Sequence, residues 1–177
     1  IAPCIACNQA CLDHTFSGKL TSCLVNPRAC HETELVYTSA EVPKRLAVVG
    51  AGPAGMMTAI VAAGRGHSVV LFDKANHVGG QLNLAKEVPG KEEFHGLVDW
   101  FDTMLHVAGI ELRLGHEATA EDLQGFDEVV VATGIEPRRP SIPGIDHPKA
   151  VRYIDVIQGK VEVGKKVAIM GAGGIGF

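Results

Sequence analysis

Four of the five cysteines stand near the beginning of the chain in the pattern C-x2-C-x3-C-x11-C, at Cys4, Cys7, Cys11 and Cys23. Three closely spaced thiolates and a more distant fourth suit a 4Fe-4S cluster, because one tight loop can ligate three irons. A zinc site usually takes two separated C-x2-C pairs, and only one pair is present. Disulfide bonds are less favoured still, since no export signal is visible and the following domain is of a cytosolic type. The pattern predicts a cluster, with zinc and disulfides as alternatives.

The residues between these cysteines are expected to donate backbone N–H groups to the sulfur atoms. The donors would be Ile5, Ala6, Asn8 and Gln9, and they would stabilise the reduced cluster and raise its potential. Because four cysteines complete a ligand set, we expect the fifth, Cys30, to be an ordinary buried thiol rather than a substitute ligand.

A glycine-rich turn, LAVVGAGPAG, joins an apolar run at 46–49 to a small-residue stretch of helical character at 53–63. The first glycine, Gly50, lets the chain turn sharply, and Gly52 lets the backbone approach a pyrophosphate. Gly55 lets the helix pack close to the strand. The helix N-terminus then points free N–H groups and its positive dipole end at the phosphates. This is the strand–turn–helix entry of a dinucleotide-binding fold.

A second apolar run at 68–72 ends in Asp73, at the spacing expected for a carboxylate that binds a ribose hydroxyl. Strand, helix and acid together disfavour the alternative of a glycine turn without a ligand. Farther on, Gly79-Gly80 precedes Gln81. Paired glycines suit a backbone lying against a flat ring or a phosphate, although an ordinary loop turn is the favoured interpretation of this pair taken alone.

The rest of the pattern predicts an amphipathic helix over 94–107 and short strands over 110–114 and 127–132. The last of these has four apolar residues and is expected to be a buried parallel strand. It ends at Thr133 and Gly134. Because ligands bind outside the carboxyl ends of such strands, these two residues are expected at the edge that approaches a cofactor.

The end of the sequence repeats the opening motif. A short helix is predicted over 153–158 and a strand over 166–170, after which GAGGIG supplies Gly171, Gly173 and Gly176. A protein with two dinucleotide sites would have this arrangement.

Composition excludes several classes of protein. The formal net charge is −4, with 46% hydrophobic and 20% charged residues, which is typical of a globular domain. Charges of both signs are scattered and no apolar run reaches the length of a membrane span, so we expect neither a nucleic-acid nor a membrane partner. The absence of a leader-like segment predicts a cytoplasmic protein. A first residue other than Met and a last residue within a glycine turn predict an excerpt of a longer chain.

No Ser/His/Asp or Cys/His arrangement indicates nucleophilic catalysis, so no catalytic residue is assigned. The acidic pairs Glu92-Glu93 and Glu121-Asp122 are expected to be solvated helix starts.

The order of the motifs resembles that of the iron–sulfur flavoproteins of the old yellow enzyme and trimethylamine dehydrogenase family. The motifs are, in order, CIACNQAC, CLVNPRACHE, VVGAGPAG, GGQ, VVVATG and GAGGIG. CLVNPRACHE and PGKEEF are more similar to the bacterial 2,4-dienoyl-CoA reductases of that family than to its amine-oxidising members. The resemblance covers essentially the whole sequence. It implies a larger parent in which NADPH would reduce FAD, a 4Fe-4S cluster would carry single electrons, and FMN in an N-terminal barrel would reduce a dienoyl-CoA in fatty acid β-oxidation.

The resemblance also assigns residues to cofactors. The cluster ligands correspond to Cys4, Cys7, Cys11 and Cys23, and the FAD pyrophosphate turn corresponds to Gly50, Gly52, Ala54 and Gly55. The ribose-binding acid corresponds to Asp73, and residues near the flavin half of FAD correspond to Gln81 and Lys91. A main-chain contact to the adenine edge corresponds to Ala118, and the strand end that passes the cofactor corresponds to Thr133 and Gly134. Gly171 and Gly173 would belong to the NADPH site.

The expected fold class is therefore α/β: a Rossmann-like FAD-binding domain, with a parallel sheet and flanking helices, preceded by an irregular cysteine-rich segment. The expected divisions are 1–43 for the iron–sulfur segment, 44–163 for the FAD-binding domain and 164–177 for the truncated start of an NAD(P)H-binding domain. The FMN barrel and most of the NADPH domain are missing, so this chain alone is not expected to reduce a dienoyl-CoA. The alternatives are the same module of an amine dehydrogenase or enoate reductase, or a non-catalytic nucleotide-binding domain with a zinc knuckle.

Overall fold

Four parallel strands form the sheet that the apolar runs predict. They are β1 (Arg45–Val49), β2 (Ser68–Asp73), β3 (Glu111–Leu114) and β4 (Glu128–Val131), in the spatial order β3-β2-β1-β4. The helices are a π-helix (Gln9–Asp13), α1 (His14–Phe16), α2 (Pro53–Gly64), α3 (Leu82–Ala85), α4 (Glu93–Val107) and α5 (Tyr153–Ile157). The chain reverses its direction of winding between β1 and β4, and such a switch point opens a crevice at the carboxyl ends of the strands.

The structure is a computed structural model that describes residues 2–171 and residue 173. The chain divides into two units, Ile1–Glu136 and Pro137–Phe177. The first contains the cysteine-rich segment and the whole sheet, and the second contains α5. Within the described part of the chain, no helix has both the length and the apolar character that crossing a bilayer would require.

The main core lies on the face of the sheet covered by α2 and α4. Helix α4 contributes Leu97, Val98, Phe101 and Leu105, which share one face of the helix and are all buried. Strand β2 is buried through four consecutive residues, from Val69 to Phe72, because its other face is also covered. There Phe72 and its neighbours pack against residues of the loop between β3 and β4, such as Phe126.

The prediction of a buried strand at 127–132 is wrong in its burial, although the strand itself forms. Val129 is 40% and Val131 72% exposed. Strand β4 pairs only with β1 and forms an edge of the sheet in the described residues. An apolar run identifies a strand but does not show what covers it.

The strand predicted at 166–170 is also absent from the structure, which leaves these residues irregular. Val167, Ile169 and Met170 are largely exposed. A lone parallel strand is unstable without a neighbour to pair its backbone groups, and the described residues of the second unit contain no strand. Gly176 of the second motif lies outside the described residues.

Candidate functional site

The glycine turn between β1 and α2 is shaped by close contacts that no side chain would permit. Gly50 has φ +112°, in the left-handed region, and a Cβ there would overlap the carbonyl group of Ala132. A Cβ at Gly55 would overlap the carbonyl oxygen of Gly50. These two glycines are therefore required by the protein's own packing, the first for the strand end and the second for the helix.

Gly52 differs from both, because the protein around it leaves space. Its φ of −77° suits any residue, and a Cβ there would have no atom within 4 Å. The absence of a side chain at this position leaves open space beside Gly52 and the first turn of α2, here named the cradle, and does not relieve a contact within the protein. A ligand that lies against the turn would use that space.

The N-terminus of α2 opens into this cradle. Gly52 is the N-cap residue and no side chain caps the helix. Pro53 fills the first helical position and has no N–H to donate. The N–H groups of Ala54 and Gly55 come next, and groups in the first turn have no partner within the helix. They carry the positive end of the helix dipole, which favours a phosphate.

Asp73 closes the side of the cradle formed by β2. Its Oδ2 accepts a hydrogen bond from Ala51 N at 2.6 Å, and its Oδ1 accepts one from Ala75 N at 2.8 Å. A carboxylate has about four lone-pair positions, so each oxygen keeps capacity for a ribose hydroxyl. The sequence indicated the second role but not the first, in which Asp73 holds the glycine turn in place.

A second glycine loop lies directly on the first. Gly79 N donates to Ala51 O at 2.8 Å, and a Cβ at Gly80 would come within 2.8 Å of Gly52 Cα. Asn83 supports this loop by donating from Nδ2 to Val78 O at 2.7 Å. The favoured interpretation of Gly79-Gly80 as an ordinary loop turn is therefore incomplete. The pair is needed for close backbone approach, but to the first glycine turn.

Gln81 connects this loop to the exit of β4. Its Nε2 donates to Ile135 O at 2.7 Å. Thr133 and Gly134 lie just before that carbonyl, are exposed, and follow the strand end that packs on Gly50. The structure thus brings Gly50, Gly52, Asp73, Gln81 and Thr133-Gly134 together at the carboxyl end of the sheet.

Among the described residues of the first unit, no contact is seen between the remaining predicted cofactor residues and the glycine turn. Lys91 is exposed, with its Nζ 5.8 Å from the centre of the Phe94 ring. Ala118 is half-buried against the Phe72 face of the sheet. Gly171 and Gly173 belong to the second unit, and a Cβ at either would have no atom within 4 Å. Their cofactor roles stay predictions.

The cysteine-rich segment folds back on itself near its proposed ligands. Ser22 N donates to Ala10 O at 2.9 Å, which brings the residue before Cys23 to the π-helix that contains Cys11. Of the expected donors to sulfur, Ala6 N lies 3.4 Å from Cys4 Sγ. This contact is of the kind that stabilises a thiolate.

The backbone of this loop is strained. Ala6 and Asn8 have φ values of 52° and 54°, in a region that costs a residue with a side chain about 1–3 kcal/mol. None of the five cysteines, all of which the structure describes, forms a disulfide bond. Cys30 is exposed, so the prediction that it is buried is wrong. Across the described residues, no three histidine, cysteine or acidic side chains are grouped closely enough to hold a metal ion. The donor chemistry suits a cluster, and the ligand set stays a prediction.

A histidine–aspartate pair stands on the loop after β3, close to Ala118. Asp122 Oδ2 accepts hydrogen bonds from Thr119 N at 2.8 Å and from His116 Nε2 at 2.9 Å. The Thr119 N–H, and then the His116 side chain, lower the pKa of Asp122 to about 2. Asp122 was expected at a solvated helix start, but no helix begins there, and Asp122 instead accepts hydrogen bonds within a loop. The T-x-x-D spacing of a capping box could have indicated the contact with Thr119.

Two cavities lie outside the glycine turn. The first, of about 570 Å³, lies between the loop after β2 and α4, with Lys86, Asp99 and Asp102 among its lining residues. The second, of about 360 Å³, is here named the Arg28 cavity and lies between the cysteine-rich segment and helices α2 and α4. Neither is lined by Gly50, Gly52 or Asp73.

Comparison with known proteins gives a consistent result. The chain is 40% identical to a metal reductase of Desulforamulus reducens, covering 99% of this chain and 27% of the relative. It is 41% identical to an NADH oxidase of Thermoanaerobacter brockii, covering 99% of this chain and 28% of the relative. A solved structure of 2-naphthoyl-CoA reductase with 2-naphthoyl-CoA is 37% identical, with a TM-score of 0.87 over 91% of this chain and 25% of that one.

The chain thus spans about a quarter of the length of these relatives. Residues 44–177 match the pyridine nucleotide-disulphide oxidoreductase family. This match includes the glycine turn, Asp73, the Gly79-Gly80 loop and the whole parallel sheet. The α/β Rossmann-like fold is that of a dinucleotide-binding domain, and the chain belongs to the pyridine nucleotide-disulphide oxidoreductase family.

Proposed function

We propose that this chain is the FAD-binding, electron-transfer part of a larger oxidoreductase. The observation that carries the proposal is the cradle at Gly52, where a helix N-terminus without a side-chain cap meets space that a Cβ would fill. That space fits a pyrophosphate, and Asp73 stands at the next strand end with lone pairs left for a ribose.

The residues of the cradle divide the work of binding. Ala54 and Gly55 would donate backbone N–H groups to the pyrophosphate, where charge-assisted hydrogen bonds are stronger than neutral ones. Asp73 would accept from the adenosine ribose while holding Ala51 N. Gln81, already bonded to Ile135 O, would keep the β4 exit against the cofactor. When bound, FAD supplies a ring that exchanges electrons either in pairs or singly.

Cys4, Cys7, Cys11 and Cys23 are the proposed ligands of a 4Fe-4S cluster. Their number and type suit it, and the Ala6 N–H directed at Cys4 Sγ would lower the charge density on that thiolate. When bound, the cluster supplies a carrier of single electrons. A nicotinamide transfers two electrons together as hydride, whereas the cluster accepts one electron at a time. A flavin can do both, so FAD is favoured over a nicotinamide dinucleotide for the first glycine turn. NADPH is proposed for the second motif, at Gly171 and Gly173.

For the whole parent protein, we propose NADPH-dependent reduction of a 2,4-dienoyl-CoA, with FMN in a barrel outside this chain. Two findings support reduction of an unsaturated acyl thioester: the CLVNPRACHE and PGKEEF stretches, and the likeness to 2-naphthoyl-CoA reductase. The NADH oxidase relative supports a reduced nicotinamide as electron source.

Cofactor analysis of the protein purified without oxygen tests the proposal. We expect about one FAD per chain after supplementation, together with iron and acid-labile sulfide and absorbance that bleaches with dithionite. A colourless protein with one zinc would instead establish the zinc-knuckle alternative. A protein with flavin but with neither iron nor sulfide would refute the cluster and leave the FAD site standing.

A further inference from the structure

The loop that follows β3 is fastened to the strand end that carries Asp73. Residues 115–122, here named the Asp122 loop, begin with two backbone hydrogen bonds to the end of β2 and the residues just after it. Gly115 N donates to Ala75 O at 2.8 Å, and His116 N donates to Asp73 O at 3.0 Å. Because the Asp73 carboxylate is proposed to hold the adenosine ribose, this loop is the neighbouring element for the base that the ribose carries.

Ala118 lies in this loop and packs its side chain against the sheet. The residue is half-buried and contacts the cluster formed by Ala47, Val70 and Phe72. Among the described residues, neither its N–H nor its C=O has a hydrogen-bond partner. Folded chains pair almost all backbone groups that are shielded from water. At this half-buried position, one donor and one acceptor are left available to a ligand.

A single carboxylate oxygen holds the residues on both sides of Ala118. Asp122 Oδ2 accepts hydrogen bonds from His116 Nε2 at 2.9 Å, from Thr119 N at 2.8 Å and from Thr119 Oγ1 at 2.9 Å. The His116 ring also lies near the Phe72 ring, with the ring centres 6.2 Å apart. The Asp122 loop contains no helix or strand of its own, so these hydrogen bonds help to determine the course of its backbone at Ala118.

A backbone donor and acceptor held in one orientation can distinguish between two bases. Adenine presents the acceptor N1 next to its 6-amino donor, and proteins that read a base use hydrogen bonds to this edge. Hypoxanthine presents the reverse, an N1–H donor next to a 6-oxo acceptor. A peptide fixed in position fits one pattern and leaves its groups unpaired against the other, which penalises the wrong ligand. A peptide that is free to move adapts to either pattern.

We propose that Asp122 is a positioning residue that makes the dinucleotide site selective for adenine. By holding His116 and Thr119, its carboxylate would fix the Ala118 main chain in the orientation that pairs with N1 and the 6-amino group. Asp122 itself does not need to touch the ligand. The inference rests on the proposed FAD site at the first glycine turn, and it adds a residue to that site that the sequence motifs did not indicate.

Titration with FAD and with its deaminated analogue, in which hypoxanthine replaces adenine, tests the inference. The two ligands differ only at the edge of the base, and flavin fluorescence gives the Kd of each. We expect the wild-type chain to bind FAD at least about tenfold more tightly than the analogue, since a mismatched edge leaves hydrogen-bonding groups unsatisfied. Asp122→Ala should bind FAD at least about tenfold more weakly and should reduce the ratio of the two Kd values to about threefold or less.

Two further variants separate positioning from stability. His116→Phe keeps a ring near Phe72 but removes the hydrogen bond to Asp122. It should also reduce the ratio of the two Kd values, so the test does not depend on the folding of Asp122→Ala. Glu121→Ala removes an exposed carboxylate from the same loop and should leave both Kd values unchanged.

The outcomes distinguish this inference from the proposed function. A wild-type chain that binds neither dinucleotide would refute the proposed FAD site and this inference with it. Equal binding of FAD and the analogue by the wild type would overturn the inference and leave the FAD site standing. An unchanged ratio in a folded Asp122→Ala or His116→Phe variant would also overturn it, because a loss of affinity shared equally by the two ligands marks a structural role only.

Discussion

Replacing Gly52 by Val should separate cofactor binding from stability. The position has a φ that any residue adopts, and a Cβ there would meet no protein atom within 4 Å. Two small effects on the cofactor-free protein oppose each other. Loss of a glycine N-cap costs up to about 1 kcal/mol, and the reduced freedom of the unfolded chain returns about 0.4–1 kcal/mol. The free energy of unfolding should therefore change by less than about 1 kcal/mol.

The effect of Gly52→Val on FAD affinity should be much larger. The added side chain would occupy the space through which a pyrophosphate reaches the N–H groups of Ala54 and Gly55. Each charge-assisted hydrogen bond contributes about 1.5–3 kcal/mol, so losing both costs about 3–6 kcal/mol. The Kd for FAD should rise at least about a hundredfold.

Two matched glycines serve as controls in the same helix. Gly55→Val places a Cβ onto the Gly50 carbonyl oxygen and should lower the melting temperature by several degrees, as overpacking does. Gly64→Ala, near the helix end with no atom within 4 Å of the added Cβ, should leave the FAD affinity unchanged and raise the free energy of unfolding by about 0.4–1 kcal/mol, because alanine reduces the freedom of the unfolded chain. Thermal unfolding followed by circular dichroism and FAD titration by fluorescence measure both quantities. Normal FAD affinity in a folded Gly52→Val variant would refute the cradle.

Three further predictions concern the surroundings of the cradle. Gln81→Leu removes the hydrogen bond to Ile135 O, so FAD should dissociate about tenfold faster. In the cofactor-free protein, the amide protons after β4 should also exchange faster. Unchanged exchange would count against a role of Gln81 in joining the Gly79-Gly80 loop to the exit of β4. Cys23→Ser should abolish binding of the cluster iron, whereas Cys30→Ser, at an exposed position, should retain it. Equal iron content in the two variants would contradict the assignment of Cys23, rather than Cys30, as a cluster ligand. Asp122 has a pKa lowered to about 2 from 3.8, so its stabilising effect is present at neutral pH and is lost as pH falls below about 4; Asp122→Asn should be less stable than wild type at pH 7, with the difference vanishing near pH 2 in denaturant titrations.

The sequence was most informative where local spacing determines the structure. The β1–turn–α2 unit, Asp73 at the end of β2, and the apolar stripe of α4 all follow from periodicity and from the positions of glycines, and the structure has them. Irregular character in the cysteine-rich segment was also expected, and only a π-helix and a three-residue helix form there.

Contacts between distant residues could not be predicted in this way. The bond from Gln81 to Ile135 spans 54 positions, and the bond from Ala51 to Asp73 spans 22. Neither leaves a mark in local composition. The exposure of Val131 and the irregular backbone at 166–170 were missed for a related reason. Apolar residues indicate a surface to be covered, and they do not say whether a covering element is at hand.

Following the backbone amide resonances of the isotopically labelled chain during a titration with FAD tests the central claim most directly. Saturable changes should be largest at Ala51, Ala54 and Gly55, with a second group at Asp73 and Ala75, whose amide bonds to that carboxylate. Changes concentrated elsewhere, or no saturable change at the first turn of α2, would contradict the placement of a dinucleotide at the first glycine turn.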